Sequence, residues 1–144
     1  MTIFRPAVPE DAPELLQLAS HMTKGTAFAA PTLEKVRRLI SRPSGYGECA
    51  VAGGKIVGFM CGYIGETFLN TQVNAYEQGV FVDPAHRGSM VAIRLIKNFE
   101  LWAKANGAEN VWLGQSVGQK MPSTLKFFER LGYSCQGFIT CKSL

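Results

Sequence analysis

The segment from Val73 to Gln115 constrains the fold more than any other part of the sequence. A β-prone run, Val73 to Val82, rich in Tyr, Val and Phe, is stopped by Asp83-Pro84. A tight turn at Arg87-Gly88-Ser89 follows, and then a periodic stretch with Ala92, Leu95, Ile96, Phe99, Trp102 and Ala103 on one helical face. Asn106-Gly107 caps that helix, and Asn110 to Gln115 is again β-prone. A helix lying between two strands of one sheet makes them a parallel pair, because a short hairpin cannot return the chain in the same direction.

The remaining segments read around this unit. Thr2 to Arg5 is a short strand; Pro9 takes a first helical position, and Glu10 and Asp11 complement the positive end of a helix running to about Ser20. Thr32 is the predicted N-cap of a second helix with Leu33, Val36, Leu39 and Ile40 as its buried face, ended by Pro43 and Gly45. From Glu48 the period falls to two. Glu48 to Ala52 and Lys55 to Ile64 form two antiparallel strands joined by Gly53-Gly54. Gly79 inside the Val73 to Val82 run signals a bulge or a close backbone approach. Pro122 to Leu131 is a helix with Leu125, Phe128 and Leu131 inward, and Tyr133 to Cys141 a last strand or tight hairpin. The predicted order is β-α-α-β-β-β-α-β-α-β, an α/β (α+β) class with a mixed sheet and helices on both faces.

Length and composition limit the function classes. At 144 residues with 47% apolar content, residues 1–144 suit a single domain with one continuous core. No apolar run approaches the roughly 18 residues that span a bilayer, and Met1 to Arg5 carry no apolar signal region, so no membrane association and a cytoplasmic location are expected. Cys49, Cys61, Cys135 and Cys141 include no C-x-x-C pair and only two histidines are present, so reduced thiols and no metal are expected. The net charge of +4 is modest, and the basic residues are not interleaved with aromatics, which argues against nucleic acid as a partner. A polyanionic small molecule accounts for part of that charge, and so does a solvated basic face.

The chemistry concentrates in YEQGVFVDPAHRGSMVAIRL. A turn that opens a helix presents unpaired backbone N–H groups and about half a positive charge, which suits an anion. Arg87 adds a full charge and Gly88 lets the backbone approach closely. By local pattern alone, a structural strand-turn-helix unit explains these residues equally well.

Nearly the whole chain resembles the GNAT acetyltransferases. That family's acetyl-CoA signature is Arg or Gln, two residues, Gly, one residue, then Gly or Ala, after a strand ending in a Val-x-Pro-like step. Here Val82-Asp83-Pro84 precedes Arg87-Gly88-Ser89-Met90-Val91-Ala92, with Met90 in place of the inner glycine. STLKFFERLGY is similar to the family's last helix, with Phe128 where a thiolate-protonating tyrosine is usual and Met121 where an asparagine is usual.

The resemblance implies a mostly antiparallel GNAT-like sheet with a central parallel pair, and acetyl-CoA (coenzyme A) as co-substrate without a metal. It implies that the backbone of Val80, Phe81 and Val82 binds the pantetheine arm like an added strand. Arg87, Gly88, Ser89, Met90, Val91 and Ala92 then hold the phosphates, and Phe128 lies in the cofactor site. The acceptor is a primary amine of a small molecule or protein, and since an amine with a pKa of about 10.4 is protonated at neutral pH, a base is needed. Glu77 is the candidate, and strand alternation turns Gln78 to the opposite face. A strand glutamate facing solvent, or paired with a lysine, is the competing reading. Tyr133 and Tyr76 are the nearest phenols to serve as acid, water being the alternative. His21 is read as a surface residue, Tyr63 and Phe59 as sheet packing, Trp102 and Trp112 as core. A catalytically weak acyl-CoA-binding or interaction module is the alternative function. The stretch after Leu131 is short for two closing strands, which admits a homodimer across the exposed edges.

Overall fold

The computed structural model describes residues 1–24, 31–42, 45–68, 71–114 and 121–144, and the side chains of all of these except Met22 and Met121. It divides into two compact units, Met1–Trp112 and Leu113–Leu144, and each is described by itself.

The first unit is a five-stranded sheet in the order β1-β2-β3-β4-β5, formed by β1 (Thr2–Pro6), β2 (Gly45–Ala52), β3 (Lys55–Glu66), β4 (Val73–Val82) and β5 (Asn110–Trp112). The first three pairings are antiparallel and β4–β5 is parallel, as the intervening helix requires. Gly53 and Gly54 join β2 to β3 with φ of 57° and 75°, a left-handed pair that side chains resist. The helices are α1 (Ala12–Thr23), α2 (Leu33–Ile40) and α3 (Val91–Ala105). The Thr32 hydroxyl caps α2 by accepting from the Lys35 N–H, as its sequence predicts. The predicted apolar face of α2 is only half-buried, and Pro43, assigned to its end, lies outside the described residues.

The two faces of the sheet are covered differently. On one, Leu15 and Leu18 of α1 pack with Cys49, Ile56 and Phe81, flanked by Val36 and Ile40 of α2. On the other, Val91, Leu95, Ile96, Phe99 and Ala103 of α3 are all buried. Gly58 and Gly62 let α3 come down onto β3: a Cβ on Gly58 would lie 3.0 Å from Val91, and one on Gly62 would lie 2.6 Å from the Phe99 ring and 2.5 Å from the Tyr76 carbonyl. Polar ties fix the same elements. The Tyr46 hydroxyl donates to Glu48 (3.0 Å) and the Asn98 amide donates to both Glu48 oxygens (3.0 and 3.1 Å), joining β2 to α3. Burial raises the Glu48 carboxyl above its usual range despite those donors. Arg5 meets Asp11 in a two-pronged pair (both 2.8 Å) that joins β1 to the turn before α1 and holds the Asp11 carboxyl below its usual range.

The second unit contains α4 (Met121–Arg130). Phe128 is buried, its ring against Phe127 and Tyr133, whereas Leu125, expected inward, is 39% exposed. Residues 133–144 form no strand, which corrects the expected final strand or hairpin. A strand needs a ladder partner for its backbone, whereas this mostly exposed segment shows local side-chain bonds such as Gln136 to Ser134.

Gly62→Val should cost about 1–3 kcal/mol, since the new side chain must displace Phe99 or the Tyr76 carbonyl. Gly137→Ala, with nothing within 4 Å of its Cβ, is the control. Urea denaturation of both variants checks this, the expected result being a lowered midpoint for Gly62→Val alone.

Candidate active site

The site is built on β4. Its ladder with β3 runs the full strand but slips once: Cys61 faces Gly79 and Gly62 faces Glu77, so Gln78 is an extra, unmatched residue. This is the bulge that Gly79 predicts, with the inserted residue next to the glycine. The strict alternation expected to separate Glu77 from Gln78 does not carry through it. On its other edge β4 pairs with β5 only from Asn74 to Tyr76. From Gln78 to Val82 that edge has no strand partner among the described residues. The two parallel strands begin together and part at the bulge.

Beyond the open edge lies the turn. The Asp83 carboxylate accepts from the Ala85 N–H (2.8 Å) and starts a 3-10 turn over Pro84–His86. Gly88 has φ of 78°, the left-handed conformation that favours glycine. The Ser89 hydroxyl donates to the His86 carbonyl and accepts from the N–H of Val91, the first residue of α3 (3.3 Å). Met90 has helical backbone angles, and its side chain is 67% exposed. The position therefore needs no glycine for its own conformation. Val91 is buried and Ala92 half-buried.

Arg87 is folded back along the strand. Its Nε donates to the Val82 carbonyl (3.2 Å), and its guanidinium lies 5.3 Å from the centre of the Phe81 ring. His21, on the last turn of α1, lies nearly parallel to the same ring at 6.2 Å. Phe81 and Val82 are buried and Val80 half-buried.

Glu77 is half-buried beside the bulge, within electrostatic reach of Cys61. Burial, and secondarily the Glu77 carboxylate, push the Cys61 thiol up to about 12. Burial likewise pushes up Cys49, whose thiol contacts the Asp11 carboxylate at 3.8 Å, to about 12. Neither is an activated nucleophile. Phe128 lies in the second unit, where Leu131 and Tyr133 donate to its carbonyl. Among the described residues no three His, Cys, Asp or Glu side chains are grouped to hold a metal, and no helix is long and apolar enough to cross a membrane.

The description "Acetyltransferase (GNAT) family" matches residues 13–133. The chain belongs to the GNAT acetyltransferase family. Solved structures share the fold over whole chains. One is a Trypanosoma brucei acetyltransferase (TM-score 0.80, 22% identity, 100% of each chain). Another is AAC(6')-Iy bound to a CoA bisubstrate analogue (0.82, 18%, 100% of this chain and 98% of that one). A third is a ribosomal-protein-alanine N-acetyltransferase from Brucella melitensis (0.79, 17%, 100% and 99%). At such identities these likenesses speak for the fold alone. No curated protein sequence matches the chain significantly.

In this GNAT chain two residues of the β4–β5 junction differ from or escape the sequence reading. Trp112, read as core, is 41% exposed, because β5 is a three-residue end strand with no neighbour beyond it in the sheet among the described residues. Asn74 is fully buried under the junction; its carbonyl accepts from the Trp112 indole (3.1 Å) and the Asn110 amide (3.2 Å), and its amide donates to the Gln72 carbonyl (3.1 Å). An asparagine between Val73 and Ala75 in a β-prone run was the available signal, since a buried amide must find partners.

The thiol environments have a measurable consequence. At pH 8 a pKa of about 12 leaves on the order of 10⁻⁴ of Cys49 or Cys61 as thiolate. Titration of the native protein with a thiol-specific disulfide reagent should give two fast thiols, the exposed Cys135 and Cys141, and four after unfolding. A third fast thiol in the native protein would overturn the burial argument.

Proposed function

We propose that residues 1–144 act as one acetyltransferase domain that moves an acetyl group from acetyl-CoA to a primary amine of a small molecule or protein. The observation that carries this is the β4 edge from Gln78 to Val82, which has no strand partner among the described residues and lies beside an anion-favouring helix start. A backbone edge of this kind binds an extended amide-bearing chain as a sheet binds a strand. The residues fit coenzyme A. Val80, Phe81 and Val82 offer the edge to the pantetheine arm. Arg87 to Ala92 offer a cation, a glycine at positive φ and the first N–H groups of α3 to the phosphates. Met90, with its side chain turned out, leaves the backbone of the turn accessible. Phe128 is retained as a cofactor-binding residue on resemblance alone.

Acetyl-CoA supplies the acetyl group as a thioester already activated toward an amine. The chain's task is to remove the amine's proton and position its nitrogen. Glu77, half-buried where β4 and β5 part, is the proposed base. Phe128 has no hydroxyl, so no proton donor stands at that position and water takes the role. The relatives' names include acetyltransferases of aminoglycosides and of a ribosomal protein, which supports both acceptor classes. With no spanning helix among the described residues, a cytoplasmic place of action belongs to the same proposal.

Acetyl-CoA at a hundred times its Kd should stabilise the protein by roughly 2.7 kcal/mol, seen as a raised Tm. Arg87→Glu should abolish the shift, and an undiminished shift would remove Arg87 from the phosphate site. Glu77→Gln should leave the shift nearly intact while lowering turnover at neutral pH by about 10² to 10⁴. The deficit should narrow as pH approaches the amine's pKa, where free amine needs no base. Full activity at neutral pH would exclude Glu77 as an essential base. Acetyl-CoA binding without thiol release, across a panel of amines, would favour the acyl-CoA-binding module instead.

A further inference from the structure

Of the three residues offered to the pantetheine arm, only two present backbone groups at the open edge. The Asp83 N–H donates to the Val57 carbonyl (2.8 Å), which makes Val57 and Asp83 a hydrogen-bonded pair of the β3–β4 ladder. In an antiparallel ladder such pairs alternate with pairs whose N–H and carbonyl groups point away from each other. Gly58 stands opposite Val82, Phe59 opposite Phe81 and Met60 opposite Val80. Phe81 therefore spends its backbone groups on Phe59, while those of Val80 and Val82 are directed away from β3, to the edge.

One of these groups already has an occupant. The Val82 carbonyl accepts from the Arg87 Nε at 3.2 Å. A carbonyl prefers a donor near its own plane, which is the direction from which the N–H of an added strand would come. Arg87 is held there twice, because its guanidinium also lies 5.3 Å from the centre of the buried Phe81 ring. That ring belongs to the cluster of Leu15, Leu18, Cys49 and Ile56 on the face that α1 covers, whereas α3 packs on the opposite face. The charge assigned to the phosphates thus rests on the strand edge, beside a ring of the α1 face. The Arg87 residue is exposed, so its side chain has open space to move into.

An extended arm that pairs with Val80 and Val82 must displace Arg87 from the carbonyl. Coenzyme A carries its own compensation, since a guanidinium gains more from a diphosphate than from a neutral carbonyl and a ring. A pantetheine without phosphates carries none. We infer that Arg87 selects the acyl donor by competition: folded onto the edge it opposes the pantetheine arm itself, and only a donor bearing phosphates draws it away. Specificity then comes from a penalty on the wrong donor as well as from attraction to the right one. This rests on the acetyl-transfer reading for coenzyme A at this edge, and adds to Arg87 a role that a plain phosphate ligand lacks.

The test is an NMR titration of isotope-labelled protein with coenzyme A and with pantetheine, each as the free thiol, following the Val80 and Val82 amide signals. The parent is compared with Arg87→Met and Arg87→Ala. Pantetheine is uncharged, so removing a cation cannot strengthen its binding through charge, and a gain shared by both variants cannot come from contact with a new methionine. Pantetheine should bind both variants about tenfold more tightly than the parent, the scale of one hydrogen bond from a charged donor. Coenzyme A should bind both about tenfold more weakly or worse, and in the parent it should shift the Arg87 Nε–H signal. A side chain with only a structural or phosphate-binding role would not, on removal, tighten any ligand. Unchanged or weaker pantetheine binding in either variant, or an Arg87 signal that coenzyme A leaves unmoved, overturns the competition while leaving coenzyme A at the edge. Failure of coenzyme A to shift the Val80 and Val82 signals of the parent overturns the acetyl-transfer reading itself.

Discussion

The parting of β4 from β5 is the constraint on which the site depends. A strand inside a sheet normally spends its backbone donors and acceptors on both neighbours, and a strand so satisfied cannot bind anything along its edge. Here the parallel ladder stops at Tyr76, and the inserted Gln78 follows two residues later. A bulge bends and twists the strand that carries it. Beyond the bulge, Gly79 to Val82 therefore stay paired with β3 while their opposite edge has no strand partner among the described residues. Asn74 holds the closed part of the junction by accepting from the side chains of both Asn110 and Trp112. A buried amide with its partners in place is costly to disturb, which keeps the point of divergence at one residue pair.

The other half of the site depends on where α3 begins. Its position is set from inside the core: Gly58 and Gly62 remove side chains that would hold the helix away from β3, and Phe99 fills the space against Gly62. Asn98 binds Glu48 on β2, which resists sliding of the helix along the sheet. The start of α3 is thereby carried to the end of β4 by packing, and the residues between them are spent on turn geometry. Asp83, Gly88 and Ser89 each satisfy a local backbone demand, and Arg87 lies back on Phe81. The structure thus joins an open strand edge to a helix start with few residues devoted to function alone.

How much of this the sequence shows depends on whether the cause is local. The Gly53-Gly54 hairpin, the Thr32 cap and the limits of β4 follow from turn chemistry and periodicity, and the structure agrees with each. The bulge is legible because a glycine interrupts a β-prone run, but its inserted residue is set by cross-strand register, which one strand cannot reveal. Trp112 was misread because a tryptophan in an apolar run looks like core until the strand is found at the end of the described sheet. Tyr133 to Cys141 looks β-prone on its own, yet a strand needs a partner and none is paired with it among the described residues. The assignment of Glu77 and of the turn Arg87 to Ala92 rests on motif and family, and their surroundings in the structure supply a physical setting for those roles.

The central claim is that the open edge of β4 and the start of α3 form one binding surface for acetyl-CoA. Amide hydrogen exchange, followed with and without acetyl-CoA, tests it residue by residue. The account predicts slower exchange confined mainly to the N–H groups between Glu77 and Val82 and between Gly88 and Ile93, with the β1–β2 pairing unchanged. Protection that spares β4 beyond Tyr76, while acetyl-CoA is demonstrably bound, would contradict it.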